Sequence, residues 1–203
     1  MAIHAVIFDF GGVIVRTENR APRQQLASRL GMTYEQLSDL IFDSDSARRA
    51  ALGEIGTQEH WDAIRVKLGL SPQELPAVPR EFWGGDSLDH DLVDYIRSLR
   101  PQYKTGLLSN AWDDLRDVLE KGWKIAAAFD AIVISAEVGV AKPDAKIYHI
   151  ILDRLGVAPA EAVFVDDFSE NVAGARAVGM RAIRFQNSRQ VRADLDQILD
   201  SPD

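Results

Sequence analysis

The sequence predicts an α/β protein: a doubly wound parallel sheet with a small all-helical unit inserted after its first strand. Three observations predict it. Five short apolar runs rich in β-branched residues recur at Ala5 to Phe8, Thr105 to Leu108, Ala131 to Ile134, Ala162 to Val165 and Arg181 to Phe185. Helix-period segments separate the later runs, and strands alternating with helices form parallel pairs with helices on both faces. Between the first two runs, about residues 16 to 87, there is no strand signal, only amphipathic stretches.

The first run lies in "HAVIFDFGGVIV", His4 to Val15, and leads into Asp9, with Gly11 and Gly12 next. That pattern is a buried strand ending in a tight glycine turn with a charge at its tip. In the insertion, Arg23 to Leu30, Glu35 to Phe42 and Gln58 to Leu68 carry apolar residues at helical spacing. Thr33-Tyr-Glu-Gln36 and Ser71-Pro-Gln-Glu74 have the capping-box form, the second with proline at the first helical position, so each predicts a helix start. Beyond the insertion, Asp91 to Leu99, Ala145 to Leu155 and Glu170 to Val178 read as the sheet's helices. The expected organisation is a core unit of residues 1–15 and 88–203 and a cap of residues 16–87. The cap should lie over the carboxyl edge of the sheet, where open α/β sheets bind ligands.

With 203 residues, 46% of them hydrophobic, the chain can bury one full core and a smaller satellite. Its formal net charge of -8 offers no basic field for a nucleic acid. The absence of cysteine removes disulfides, thiolate catalysis and cysteine-ligated zinc, and fits a reducing, cytoplasmic location. No apolar run approaches the roughly 18 residues of a membrane span, and the N-terminus lacks the pattern of a secretion signal. The expected partner is a small molecule, with no nucleic acid and no membrane.

Three further runs also end in polar groups: Ser109-Asn110, then Lys142-Pro143-Asp144, and Asp166-Asp167. Singly, the first could be a turn or helix cap and Lys142 an ordinary surface lysine. Adjacent carboxylates after a buried strand are harder to dismiss, because they repel unless a cation neutralises them. Together the groups address one problem, attack of a carboxylate on a phosphate dianion. A magnesium ion held by carboxylates supplies part of the neutralisation; lysine, hydroxyl, amide and glycine-turn N–H donors such as that of Gly12 supply the rest.

Asp9, Ser109, Lys142 and Asp166-Asp167, in this order, resemble the four motifs of the haloacid dehalogenase superfamily. "FDFGGVIV", "LLSNAW", "SAEVGVAKPDAKIYHIIL" and "FVDDFSENVAGARAVGM" are most similar to small-sugar-phosphate phosphatases of the α-D-glucose-1-phosphatase kind, and residues 16 to 87 resemble the cap found between the first two motifs. The resemblance implies a Rossmann-like core and a magnesium-dependent phosphomonoester hydrolase, a sugar phosphate being one candidate substrate. It makes Asp9 the nucleophile and Ser109 and Lys142 the phosphoryl ligands, with Asn110 beside them. Asp9, the carbonyl of Gly11 and Asp167 would hold magnesium, and Asp166 would orient Lys142. Ala173, Gly174 and Ala175 would let their helix lie close to the sheet. Arg48, Arg49, Trp61, Trp83 and Trp112 are the candidates for choosing the substrate, Trp112 first because it follows Ser109-Asn110 by two positions.

One position departs from the superfamily pattern. Most of its phosphatases carry a second Asp two residues after the nucleophile, where this chain has Gly11. That carboxylate protonates the leaving oxygen, a contribution typically worth roughly 10²–10⁴-fold. Glu18, on the exit towards the cap, is a candidate substitute. Gly11 is equally compatible with a 2-haloacid dehalogenase, which needs no general acid; but dehalogenation needs no metal either, leaving Asp166-Asp167 without a purpose. A non-catalytic binding protein on the same scaffold is favoured by Gly11 alone.

Overall fold

The computed structural model describes residues 2–199, so residue 1 and residues 200–203, the extreme ends of the expected core unit, lie outside the described residues. Strand β1 (Ala5–Phe8) is wholly buried and leads through the glycine turn into β2 (Val15–Thr17). Helices α1 (Ala21–Arg29), α2 (Tyr34–Phe42), α3 (Asp45–Ala51), α4 (Thr57–Leu68) and α5 (Ala77–Phe82) come next, and then β3 (Asp86–Leu88). The chain continues through α6 (His90–Ser98), β4 (Lys104–Ser109), α7 (Leu115–Asp117), β5 (Ala131–Ile134), α8 (Ser135–Val138), α9 (Ala145–Leu155), β6 (Ala162–Asp166), α10 (Ser169–Ala177), β7 (Arg181–Arg184) and α11 (Ser188–Leu199).

The main sheet has the order β5-β4-β1-β6-β7, with every pair parallel. Because strand side chains alternate, β1 sends Val6 and Phe8 to one face and Ala5 and Ile7 to the other. The first pair packs with Leu92, Val93 and Ile96 of α6 and Val191 and Leu195 of α11; the second packs with Ile147, Tyr148 and Ile151 of α9 and Ala175 of α10. The sheet is therefore doubly wound, as its alternating runs predict. Strand β1 sits between β4 and β6, the two strands from which the chain steps outward in opposite directions. That reversal is the switch point at whose carboxyl end ligands bind.

Helices α1, α2, α4 and α5 enclose their own apolar cluster around Leu26, Leu37, Ile41, Ile64 and Phe82, and with α3 they make a helical cap. Its entrance corrects the sequence reading. Strands β2 and β3 form an antiparallel ribbon that extends into the 16–87 interval, where the sequence shows no strand signal. Each has only three residues and too few apolar positions to show a period. Polar contacts hold it: Thr17 Oγ1 donates to Asp86 at 2.7 Å, and Arg23 Nη2 donates to both Asp86 oxygens at 3.0 and 3.1 Å. A second correction concerns Ser71-Pro-Gln-Glu74. Glu74 accepts from the Ser71 N–H at 2.8 Å, yet the chain there forms a run of turns, and α5 begins only at Ala77. Pro76 disfavours helical geometry at Leu75, which stops propagation. The Thr33–Gln36 box, with no proline behind it, does start α2.

Candidate active site

Asp9 begins where β1 stops. Its N–H donates to the Val165 carbonyl of β6 at 2.9 Å, fixing it beside the end of that strand. The residue is 5% exposed, and both of its donors converge on Oδ1: the Phe10 N–H at 2.7 Å and Lys142 Nζ at 2.9 Å. Burial pushes the Asp9 carboxyl up to about 7, against the pull of Lys142 and with repulsion from Asp166 added.

Lys142 also reaches Asp166 Oδ2, at 2.6 Å, so one ammonium bridges two buried carboxylates. Asp166 is completely buried and further satisfied by the Phe168 N–H at 2.8 Å and by Asn171 Nδ2, 3.1 Å from each oxygen. Removing one partner from such a buried set typically costs about 3–5 kcal/mol, because the remaining charge is stranded. Nothing in the sequence singles out Asn171. It lies five residues beyond Asp166, on the helix whose Gly174 closely approaches Pro143 and Tyr148. The tight contact at this glycine is therefore with α9 and the loop before it, and not with the sheet that the sequence leads the Ala-Gly-Ala segment to approach.

Asp167 is different. It is half-buried, its Oδ1 has no hydrogen-bond partner, and burial together with repulsion from Asp166 raises its pKa. Gly12 makes the room: its φ is +79°, and a Cβ there would stand 2.3 Å from Asp167 Oδ2. Ligand oxygens of Asp9, Asp166 and Asp167 all lie within 4.8 Å of one another. When ionised, the three carboxylates outnumber the single ammonium among them, Lys142, with only Arg184 also acting on Asp167, so the partly desolvated site carries excess negative charge. An orphaned buried oxygen within an all-oxygen donor set carrying that charge fits a hard divalent cation.

Of the remaining expected site residues, Ser109 is buried at the end of β4. The amide of Asn110 is engaged by the main chain of Lys142: its Nδ2 donates to the Lys142 carbonyl at 2.9 Å and its Oδ1 accepts from the Lys142 N–H at 2.8 Å. Its amide thus holds the lysine's main chain. Gly12 spends its N–H on the Val15 carbonyl at 2.9 Å, so its contribution is close approach. Gly11 is exposed, and a Cβ on it would meet nothing within 4 Å. Glu18 is 57% exposed and pairs with Arg16 at 3.0 Å. Arg48 lies exposed on α3 with its guanidinium on the Asp43 carbonyl, and Arg49 pairs with Glu54. Neither arginine is brought to the carboxylates by a described contact. Trp112 packs into the cap cluster, edge to face with Trp61 at 5.7 Å and Trp83 at 6.4 Å. No helix of the described residues is long and apolar enough to cross a membrane.

The sequence model of the haloacid dehalogenase-like hydrolases matches residues 3–179. A sesquiterpene phosphatase from Aspergillus oryzae is 28% identical, over 96% of this chain and 96% of its own. A D-ribitol-5-phosphate phosphatase from Bacteroides thetaiotaomicron is 29% identical, over 98% of this chain and 100% of its own. Among solved structures, a haloacid dehalogenase family enzyme from B. thetaiotaomicron, crystallised with magnesium and inorganic phosphate, superimposes with a TM-score of 0.74 at 22% identity, covering 91% of this chain and 95% of that one.

Proposed function

Because the chain belongs to the haloacid dehalogenase-like hydrolases, we propose that it is a magnesium-dependent phosphatase that hydrolyses a small phosphorylated metabolite through an aspartyl-phosphate on Asp9. Residues 1–15 and 88–203 are the catalytic unit in this reading, and residues 16–87 the cap that covers the substrate. The observation that carries it is the pairing of buried Asp9 with Lys142 at 2.9 Å beside the partnerless oxygen of Asp167. A haloacid dehalogenase has no use for that third carboxylate. The two full-length phosphatase relatives support a phosphomonoester, and their substrates, a sesquiterpene and a sugar alcohol phosphate, differ enough that the organic group is left to the cap.

Both hydrogen-bond donors to Asp9 engage Oδ1, so Oδ2 is the oxygen that attacks phosphorus. The new P–O bond forms as the bond to the leaving oxygen breaks, and that oxygen takes the electron pair and then a proton from solvent water. Water next adds to phosphorus, inorganic phosphate departs, and the Asp9 carboxylate is restored. Lys142 and Ser109 stabilise the phosphoryl oxygens, while Asp166, held by Asn171, keeps the ammonium in place. Magnesium held by Asp9, Asp167 and the Gly11 carbonyl would screen the dianion's charge and hold Asp9 ionised. The turn closes through Phe10, Gly12, Ile14 and Val15, and its bonds do not use that carbonyl.

A panel of phosphorylated metabolites tests the proposal. Phosphate release from at least one member is expected with magnesium and not with a chelator present. Chloride release from a 2-haloacid without magnesium, and no phosphate release, would replace the phosphatase with a dehalogenase.

A further inference from the structure

The residues after β4 lead from the core to the cap, the first two held within the core and the next two reaching across. Asn110 holds the main chain of Lys142, at 2.9 and 2.8 Å. The N–H of Ala111 donates to the Ser135 hydroxyl at 3.0 Å, and that hydroxyl donates back to the Ala111 carbonyl at 3.2 Å. Trp112 then leaves the core: its ring centroid is 4.4 Å from His60 and 5.7 Å from Trp61, both on α4. Asp113 completes the crossing. Its Oδ1 accepts from the Thr57 N–H at 3.0 Å and from the Thr57 hydroxyl.

Helix α4 has Gly56 at its N-terminal boundary, which brings no side chain to cap the first turn; Glu59 of the helix itself accepts from the Gly56 N–H at 3.1 Å, and the Thr57 N–H is left for a partner outside the helix. The core supplies that partner, Asp113. A carboxylate in that place satisfies an orphan N–H and favours the positive end of the helix dipole. The hydrogen bond from the Thr57 hydroxyl leads in holding the Asp113 carboxyl below its ordinary value. A second seat lies on the same platform. A Cβ on Gly53, in the turn after α3, would stand 2.1 Å from the Ala136 carbonyl oxygen, and the Ala136 N–H donates to the Ala111 carbonyl at 3.3 Å. Both seats of the cap thus converge on the loop that carries Ser109 and Asn110.

We propose that Trp112 and Asp113 are positioning residues that seat the cap on the phosphoryl-binding loop, so that filling the loop and closing the cap are one coupled equilibrium. Coupling of this kind is reciprocal: phosphate at Ser109 and Lys142 tightens the seat at Thr57, and a looser seat weakens substrate binding. The proposal rests on the phosphatase reading for the ligand that fills the loop, and not for the seat itself.

The test is amide hydrogen exchange over residues 54–61 of the full chain, with and without magnesium plus inorganic phosphate, alongside steady-state kinetics with p-nitrophenyl phosphate. Asp113→Ala should speed exchange of this segment by about 2- to 30-fold, the usual range for a lost N-cap, and Asp113→Asn, which keeps an acceptor oxygen, should restore most of the protection. Ligand should slow exchange in the parent protein and by less in Asp113→Ala. The KM of Asp113→Ala should rise by a similar factor with kcat within about twofold, since saturating substrate draws the cap closed. Unchanged exchange in Asp113→Ala, an equal ligand response in both proteins, or a fall in kcat at constant KM would each overturn the proposal. An inactive parent protein sinks the phosphatase reading but leaves the unliganded comparison of Asp113→Ala with Asp113→Asn to decide the seat. If Asp113→Ala does not fold, Thr57→Val, which deletes only the hydroxyl donor, should give the same effects at smaller size, and no effect on exchange would count against the seat.

Discussion

The carboxylate of Asp167 stands in the space that a side chain on residue 12 would need: a Cβ there would come within 2.3 Å of Asp167 Oδ2. Gly12→Ala must therefore displace the proposed metal ligand as well as strain a backbone at φ +79°. It should raise the magnesium concentration for half-maximal activity at least about tenfold, a loss of roughly 1.4 kcal/mol in ion affinity of the size that ligand-orienting changes produce. Gly31→Ala is the control, since its φ is +71° but nothing lies within 4 Å of the new Cβ. It should cost stability alone, about 1–2 kcal/mol. A magnesium titration that Gly12→Ala leaves unmoved would show that Asp167 does not hold the ion.

Asp166 and Asp167, adjacent in sequence, should fail differently. Asp166 is buried against Lys142 and Asn171, whereas Asp167 keeps a partnerless oxygen. Asp167→Ala should raise the magnesium requirement more than Asp166→Ala does, and Asp166→Ala should be the less stable protein because it strands part of the charge on Lys142. Equal shifts in the magnesium titration would undo the division into ligand and supporting residue.

His60 gives the cap a pH dependence of known sign. It is fully buried, its Nδ1 faces Ser46 Oγ at 2.9 Å and its Nε2 has no partner. Burial lowers its pKa to about 4 from 6.5. Below 6.5 the unfolded chain binds a proton that the folded chain refuses, so stability is complete above that value and declines as pH falls towards 4. The deficit from this one group should reach about 2 kcal/mol at pH 5. Chemical denaturation at pH 7 and pH 5 should show His60→Gln losing less stability than the parent across the interval; identical losses would remove His60 as the cause.

Much of this fold is legible in the sequence, and the exceptions share a cause. The strands of the main sheet start and stop within a residue of the runs that predict them, and for β1, β4, β5 and β6 the reason is that a buried parallel strand writes itself as consecutive apolar residues, whereas the edge strand β7 exposes Arg181 and Arg184. Each of Asp9, Ser109 and Asp166-Asp167 stands at or just past the end of such a run, so the topology itself gathers them. The ribbon of β2 and β3 escapes notice because its stability resides in Thr17, Arg23 and Asp86, residues far apart in the chain with no period between them. The occupation of Asn110 by Lys142, 32 residues later, and the insertion of Trp112 into the cap are likewise tertiary facts without a local signature. Arg48 resembles a substrate ligand only by charge; on the folded chain it serves the end of α2.

Gly11 marks the missing general acid, and the structure allows it to be put back. Nothing lies within 4 Å of a Cβ at this position, and the backbone is not left-handed. The parent enzyme should depend steeply on leaving-group pKa, hydrolysing aryl phosphates well and alkyl phosphates poorly. Gly11→Asp should flatten that dependence by speeding alkyl substrates, up to about 10²-fold. Alkyl phosphates hydrolysed no faster by the substituted protein would mean that proton transfer does not limit the rate.

The central claim is that Asp9 is the nucleophile, and phosphate release by Asp9→Asn with magnesium present, measured beside the parent on the best substrate of the panel, tests it most directly. The amide keeps the shape of the side chain and loses the attacking charge, so circular dichroism should be unchanged while turnover falls more than about 100-fold, at least ~2.7 kcal/mol of barrier. A folded Asp9→Asn protein that keeps more than a hundredth of the parent's rate would contradict the account.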